Sequence, residues 1–372
     1  MPPMSVLIKP ASGNCNMKCD YCFYCDEQNK RSISSFGIMS DHTLKNIMRK
    51  TILHSEGFCS IAFQGGEPTL AGIDFFRNIT QYEKHYNRKH IRVEYALQTN
   101  GLNINEEWCR FFKENHFLIG LSVDGIQDIH DKYRHTKSGN TTYEQIIRAA
   151  GLLDQYGVDY NVLTVVHGEV AGRIDEIYDF YKNKGWHYQQ YIACLDPLYE
   201  KPGKYEYSLL PAEYGKFLVK LFDRWFCDLE MNQQPFIRQF ENYIGILLGR
   251  MAEACDQRGT CGIQYVVEAD GSVYPCDFYM LDEYKLGNMN DTTIAVMDEK
   301  RKEIRFIEES FKLTQECKQC EFYGICRGGC QRSRLKTDNE MYKNYLCEGY
   351  KEFFEKCLPK MVQIADMIKK SN

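Results

Sequence analysis

Short apolar runs alternate with amphipathic stretches from residue 5 to about residue 230. Ser5–Pro10, Cys59–Gln64, Val93–Gln98, Phe117–Val123, Tyr160–Val166 and Tyr188–Cys194 have the length and composition of strands. Helical periodicity falls between them, near 41–55, 73–88, 105–115, 142–156 and 170–184. Within 142–156, Thr142 and Gln145 suggest a capping box, Ile146, Ile147, Ala150 and Leu153 form an apolar stripe, and Gly157 marks the stop. Six such alternations predict an α/β fold around a parallel sheet, doubly wound or curved into a barrel. Either architecture gathers ligand-binding loops at the carboxyl ends of the strands.

Beyond Pro211 the pattern predicts helices over 211–230 and 236–250. Cysteines then become dense, and one hairpin stands out: Ile263 to Ala269 and Ser272 to Cys276, with Asp270–Gly271 read as a two-residue type I′ turn. This change in character sets an expected division into domains 1–235 and 236–372.

Composition narrows the function. With 46 Lys and Arg against 51 Asp and Glu, the net charge of −5 gives no electrostatic footprint for nucleic acid or an anionic membrane surface. No basic segment followed by a long apolar run opens the sequence, and no apolar stretch approaches the length of a spanning helix, so a cytoplasmic protein is expected. In a reducing compartment 17 cysteines point to metal or cluster ligation rather than disulfides.

Cys15-x3-Cys19-x2-Cys22 follows the first strand. Three thiolates so close can hold three irons of a [4Fe–4S] cluster and leave the fourth open. A zinc knuckle completed by Cys25 is the alternative. The motif, with Tyr21 before its last cysteine and Gly65-Gly66-Glu67-Pro68 after the second strand, resembles the radical S-adenosylmethionine superfamily. That resemblance implies a partial (β/α)6 barrel, with Gly66 in the segment that receives the methionine amino group and Glu67 supplying charge for it. It also implies that Tyr21 belongs to the cofactor site, Ser122 contacts the ribose, Arg134 pairs the methionine carboxylate and Leu195 packs on the adenine.

A second series reads Cys255-x5-Cys261-x9-Gly271-x4-Cys276, then Cys317-x2-Cys320-x5-Cys326-x3-Cys330, then Cys347 after 16 residues. From Cys261 onward it resembles the SPASM extension, a C-terminal cysteine-rich iron–sulfur domain; a zinc ribbon on 317–330 is the alternative. Eight thiolates suit two fully ligated clusters. The resemblance assigns Cys255, Cys261, Cys276 and Cys330 to one, and Cys317, Cys320, Cys326 and Cys347 to the other, for three [4Fe–4S] clusters in all. The six remaining cysteines are expected to be small buried apolar residues.

Leu7-Ile8-Lys9-Pro10-Ala11-Ser12, Cys22-Phe23-Tyr24, Phe63 to Gly72, Gln98-Thr99-Asn100-Gly101, Cys194 to Glu200 and Tyr274 to Tyr279 together resemble the anaerobic sulfatase-maturating enzymes over nearly the whole chain. The resemblance implies oxidation of a Cys or Ser of a sulfatase polypeptide to Cα-formylglycine. A 5′-deoxyadenosyl radical from S-adenosylmethionine removes a hydrogen from Cβ, Asp277 takes the thiol or hydroxyl proton, and the auxiliary clusters carry away the second electron. A flavodoxin or ferredoxin would supply reducing electrons. Tyr24, Gln64 and Gln98 are candidates to line the pocket or orient Asp277. Two alternatives remain: a maturase of another peptide, for example one forming a thioether, and a noncatalytic electron carrier.

Overall fold

The computed structural model describes residues 3–371. Two compact units emerge, each assembled from separated segments. The first comprises the chain up to Ser122, Arg134–Asn161 and Ile263–Arg305; the second comprises Val123–Tyr133, Val162–Gly262 and the chain from Phe306 onward.

In the first unit lie β1 (Met4–Ile8), β2 (Met17–Cys19), β3 (Phe58–Phe63), β4 (Arg92–Thr99), β5 (Phe117–Ser122) and β6 (Arg134–Thr136). Strands β1, β3, β4 and β5 pair in parallel in that order. Alternate residues of β3, namely Cys59, Ile61 and Phe63, are fully buried, as the twofold period of a strand requires. Phe63 joins Phe76, Trp108, Phe112 and Phe117 in an aromatic core, where Tyr95 stacks on Phe117 at 4.8 Å. Strands β7 (Tyr160–Val166), β8 (Tyr188–Ala193) and β9 (Phe236–Ile237) pair in parallel within the second unit. Strand β10 (Tyr265–Val267) returns to the first unit beside β1, in parallel, and continues antiparallel into β11 (Ser272–Tyr274) and β12 (Gly287–Asn288). The expected α/β class with a parallel sheet is therefore observed, and all six sequence-predicted strands form.

Local details differ from expectation. The hairpin loop has three residues, because Glu268 N–H donates to Ser272 C=O and Gly271 N–H to Glu268 C=O. Gly271 alone takes a positive φ, 90°, while the Asp270 carboxylate accepts from Ser272 N–H and Oγ; this is a turn with a glycine bulge, not type I′. Thr142 does not cap its helix. Its hydroxyl donates to Arg134 C=O at 2.8 Å, which ties that helix start to β6. The helical stretch near 170–184 breaks at Arg173 into Gly168–Gly172 and Ile174–Asn183.

The second unit's core joins Pro211–Glu230, Arg238–Leu247 and a 25-residue helix, Cys347–Ser371, which the sequence reading left unassigned. Phe222, Trp225, Phe240 and Phe353 fill it. The first and last of these helices meet at Gly215 and Gly349, so closely that a Cβ on Gly349 would lie 2.3 Å from Pro211 O. Among the described residues, no helix is long and apolar enough to cross a membrane.

Candidate active site and cluster pockets

The first unit carries the Cys15–Cys22 loop between β1 and the helix Phe23–Asn29. Cys22 N–H donates to Cys19 C=O, and Cys25 N–H to Cys22 C=O, so the loop closes in two successive turns. Charges on Cys22, Cys19 and Cys15 all press on Cys25, which stands in the first turn of that helix. The Cys25 thiol donates to Cys22, which lowers the Cys22 pKa and raises that of Cys25. Strand β2 pairs antiparallel with β6, and the register sets Arg134 opposite Cys19. Arg134 Nη1 donates to Tyr21 Oη at 3.1 Å, with both residues buried. Ser122 closes β5 and is buried; Leu195 lies in the second unit, just past β8.

The glycine-rich segment follows β3. Gly66 has φ +53°, and a Cβ there would lie 2.1 Å from Asn14 O, so this backbone approach admits only glycine. Glu67 does not present its charge to a ligand. Its carboxylate is 1% exposed and accepts four donors: Thr69 N–H at 3.1 Å, Thr69 Oγ1 at 2.6 Å, Thr99 Oγ1 at 2.8 Å and Asn100 N–H at 2.8 Å. It braces the ends of β3 and β4 from inside, which corrects the expectation that it meets an ammonium.

Asp277 directly follows Cys276 in the first unit, three residues past the end of β11. Tyr24 Oη donates to its Oδ2 at 2.6 Å, while Oδ1 is buried without a hydrogen-bond partner among the described residues. Burial pushes the Asp277 carboxyl above its ordinary pKa, although the Lys9 charge and the Tyr24 hydrogen bond pull the other way. Lys9 itself is 1% exposed: its ammonium sits 4.2 Å over the Tyr24 ring and 3.2 Å from Met280 Sδ. Glu27 is buried nearby, and burial raises it to about 8 against the opposing charge of Lys9. Arg31 and Glu268 form an ion pair at 2.7 Å with side chains 1% and 0% exposed. Gln64 donates to Gln98 at the ends of β3 and β4.

The second unit holds two further thiol sets. Cys317, Cys320, Cys326 and Cys347 line one cavity of about 380 Å³, counting space open to solvent, with Phe322, Phe354 and Lys343 among its walls. Cys330 is not in that wall. It lies with Cys255 and Cys261, whose charges raise its pKa after burial, the larger cause. Arg334, buried, binds the carbonyls of Gly259, Gly328, Gly329 and Ser310 at 2.6–3.0 Å and so pins the loops that carry these cysteines. Cys276 belongs to the first unit. Among the described residues, no three His, Cys, Asp or Glu side chains close on a single metal ion. An all-sulfur donor set of this kind fits a cubane, which offers each thiolate its own iron, better than one zinc bound by four ligands.

The Radical SAM superfamily profile matches residues 10–181, and the SPASM iron-sulfur cluster-binding domain profile matches residues 259–321. A cysteine-type anaerobic sulfatase-maturating enzyme of Clostridium perfringens is 45% identical over 370 residues, covering 99% of this chain and 100% of that one. The chain belongs to the anaerobic sulfatase-maturating enzyme family. A serine-type member from Bacteroides thetaiotaomicron is 30% identical, covering 96% of this chain and 90% of its own length. The structure described as "Native anSMEcpe with bound AdoMet and Cp18Cys peptide" superposes with a TM-score of 0.93 at 44% identity, covering 99% of this chain and 100% of that one. As a radical S-adenosylmethionine enzyme of this family, the chain uses [4Fe–4S] clusters and S-adenosylmethionine.

Sequence reasoning for this sulfatase-maturating enzyme missed the buried charges Lys9, Glu27, Arg31 and Glu268, and the staple Arg334. Their only signal is a charged residue beside an otherwise apolar or cysteine-bearing element. It also placed six spare cysteines in the interior: Cys59, Cys109, Cys194 and Cys357 are buried, but Cys25 and Cys227 are exposed.

Proposed function

We propose that this enzyme oxidises the target cysteine of a sulfatase polypeptide to Cα-formylglycine, using Asp277 as the base. The cysteine preference is supported by 45% identity to cysteine-type members against 30% to a serine-type one. The observation that carries the base assignment is Asp277 itself: one carboxylate oxygen is held by Tyr24 and the other is buried and unpartnered.

Cys15, Cys19 and Cys22 would hold the cluster that keeps one iron open. Cys255, Cys261, Cys276 and Cys330 would hold the second, and Cys317, Cys320, Cys326 and Cys347 the third. Tyr21, Gly66, Ser122, Arg134 and Leu195 would hold S-adenosylmethionine. When bound, these groups supply hydrogen-atom abstraction and the route for electrons. The chain's residues do the rest. Arg134, held by Tyr21, offers a guanidinium fork to a carboxylate. Asp277 Oδ1 receives the substrate thiol proton, Tyr24 fixes the carboxylate's orientation, and Lys9 offsets the cost of a buried negative charge. An acidic redox carrier such as flavodoxin or ferredoxin is the proposed reductant, and the cytoplasm, which keeps thiols reduced, the proposed compartment.

Anaerobic turnover of a cysteine-containing sulfatase peptide, read by mass spectrometry, should give an aldehyde that a hydrazide reagent traps. A thioether product, or an unchanged peptide, would overturn the proposal. Gly66→Ala should weaken S-adenosylmethionine binding about tenfold or more, since strain on the order of 1–3 kcal/mol falls on the loop it would share with the ligand. Cofactor-dependent change in the cluster's electron paramagnetic resonance spectrum measures this.

A further inference from the structure

Asn100 is the third residue of the Gln98–Gly101 motif, and its amide orientation is set by its neighbours. Its Oδ1 accepts Leu102 N–H at 3.0 Å, a backbone group that can only donate, so its Nδ2 faces the other way. There Nδ2 lies 3.6 Å from Cys15 Sγ and 2.7 Å from Asn16 Oδ1. Its own backbone is clamped, since Asn100 N–H donates to the buried Glu67 carboxylate. The brace continues on the other side: Asn16 Nδ2 donates to Asn103 Oδ1 at 3.3 Å, and Asn103 Nδ2 donates to Thr69 Oγ1 at 3.0 Å, itself bound to Glu67. Asn100 is 7% exposed, so little water competes for its amide.

We infer that Asn100 is a positioning residue that tunes the cluster held by Cys15, Cys19 and Cys22, its amide N–H withdrawing charge from the Cys15 sulfur, with Glu67 fixing the geometry. This rests on the assignment of Cys15 as a cluster ligand. A hydrogen bond to a ligand sulfur favours the form that carries the extra electron, so its loss lowers the midpoint potential. The inward-facing Glu67 carboxylate thereby gains a purpose: it orders the loop that carries the donor.

The test uses the anaerobically reconstituted holoenzyme. The first cluster is recognised as the one whose electron paramagnetic resonance signal changes when S-adenosylmethionine is added. In Asn100→Ala, with iron content unchanged, the midpoint of that signal should move to lower potential. Asn100→Asp, which keeps the shape but replaces the donor by a carboxylate, should move it further, and the midpoints of the other two clusters should stay where they are. An unmoved first midpoint overturns the inference. Where a variant loses iron, wild-type protein labelled with 15N-asparagine decides: a nitrogen coupling at the reduced first cluster supports the inference, and its absence overturns it. A wild-type protein with no signal that responds to S-adenosylmethionine would overturn instead the ligand assignment beneath it.

Discussion

Asp277→Asn is expected to abolish aldehyde formation while the protein still cleaves S-adenosylmethionine. The substitution keeps the size and planarity of the side chain and leaves an oxygen for the Tyr24 hydroxyl, 2.6 Å away in the unaltered protein. It removes the ability to accept a proton at the buried, unpartnered oxygen. A positioned base contributes roughly 10²- to 10⁴-fold, so product formation should fall by that factor. Cleavage of the cofactor needs no proton acceptor on the substrate, so 5′-deoxyadenosine should accumulate without matching product. Liquid chromatography of both species in one reaction measures the ratio; full aldehyde yield would remove Asp277 as the base.

Tyr24→Phe refines the same expectation through pH. Burial already raises the Asp277 carboxyl, and the Tyr24 hydrogen bond is one of the influences holding it down. Without that bond the carboxyl rises further and is protonated at pH values where it was ionised. The acid limb of the rate profile should therefore move to higher pH, and raising the pH should restore the rate.

What the sequence disclosed depended on range. Cys15, Cys19 and Cys22 are legible as a set because three cysteines stand within one short loop, as the proposed cluster site requires. The strands are legible because burial of both sheet faces demands continuous apolar runs, as in Phe117–Ser122. Gly66 is legible because close backbone approach excludes a Cβ. Other features join distant segments and leave no periodic trace. Tyr24 reaches Asp277 across 253 residues, and Arg31 reaches Glu268 across 237. Glu67 shows the limit from the other side. The residue type fits both an ammonium partner and a buried brace, and only the four donors around it decide. The last segment carried no assignment from sequence; Pro359 lies inside the helix Cys347–Ser371, which packs on Pro211–Glu230. Propensity there yields to tertiary contact.

Arg31→Met should produce the largest loss of stability among single changes to the first unit's buried charges. The Arg31–Glu268 pair has almost no contact with water, and each partner has further bonds: Arg31 Nη2 donates to Ser34 C=O at 2.8 Å and Glu268 Oε1 accepts Ala269 N–H at 2.8 Å. Removing one partner strands a buried charge at a cost of about 3–5 kcal/mol. For a unit of this size that corresponds to a fall on the order of 10 °C in the midpoint of anaerobic thermal unfolding. The pH dependence distinguishes this from simple loss of packing. Burial pushes Glu268 up, but Lys9 and Arg31 more than offset it, and its pKa lies below the ordinary value. In the unaltered protein its contribution is thus present above the unfolded pKa and lost as pH falls through the lowered one. In Arg31→Met the carboxyl keeps its burial and loses a cation, so its pKa rises from that lowered value. Its deficit should be small in acid and grow as the pH climbs above the lowered pKa of the unaltered protein, where Glu268 ionises beside Arg31. Arg31→Met with Glu268→Met should recover most of the loss and flatten this dependence, because no uncompensated charge remains. A deficit of equal size at all pH values, or no recovery in the double variant, would assign the effect to packing instead.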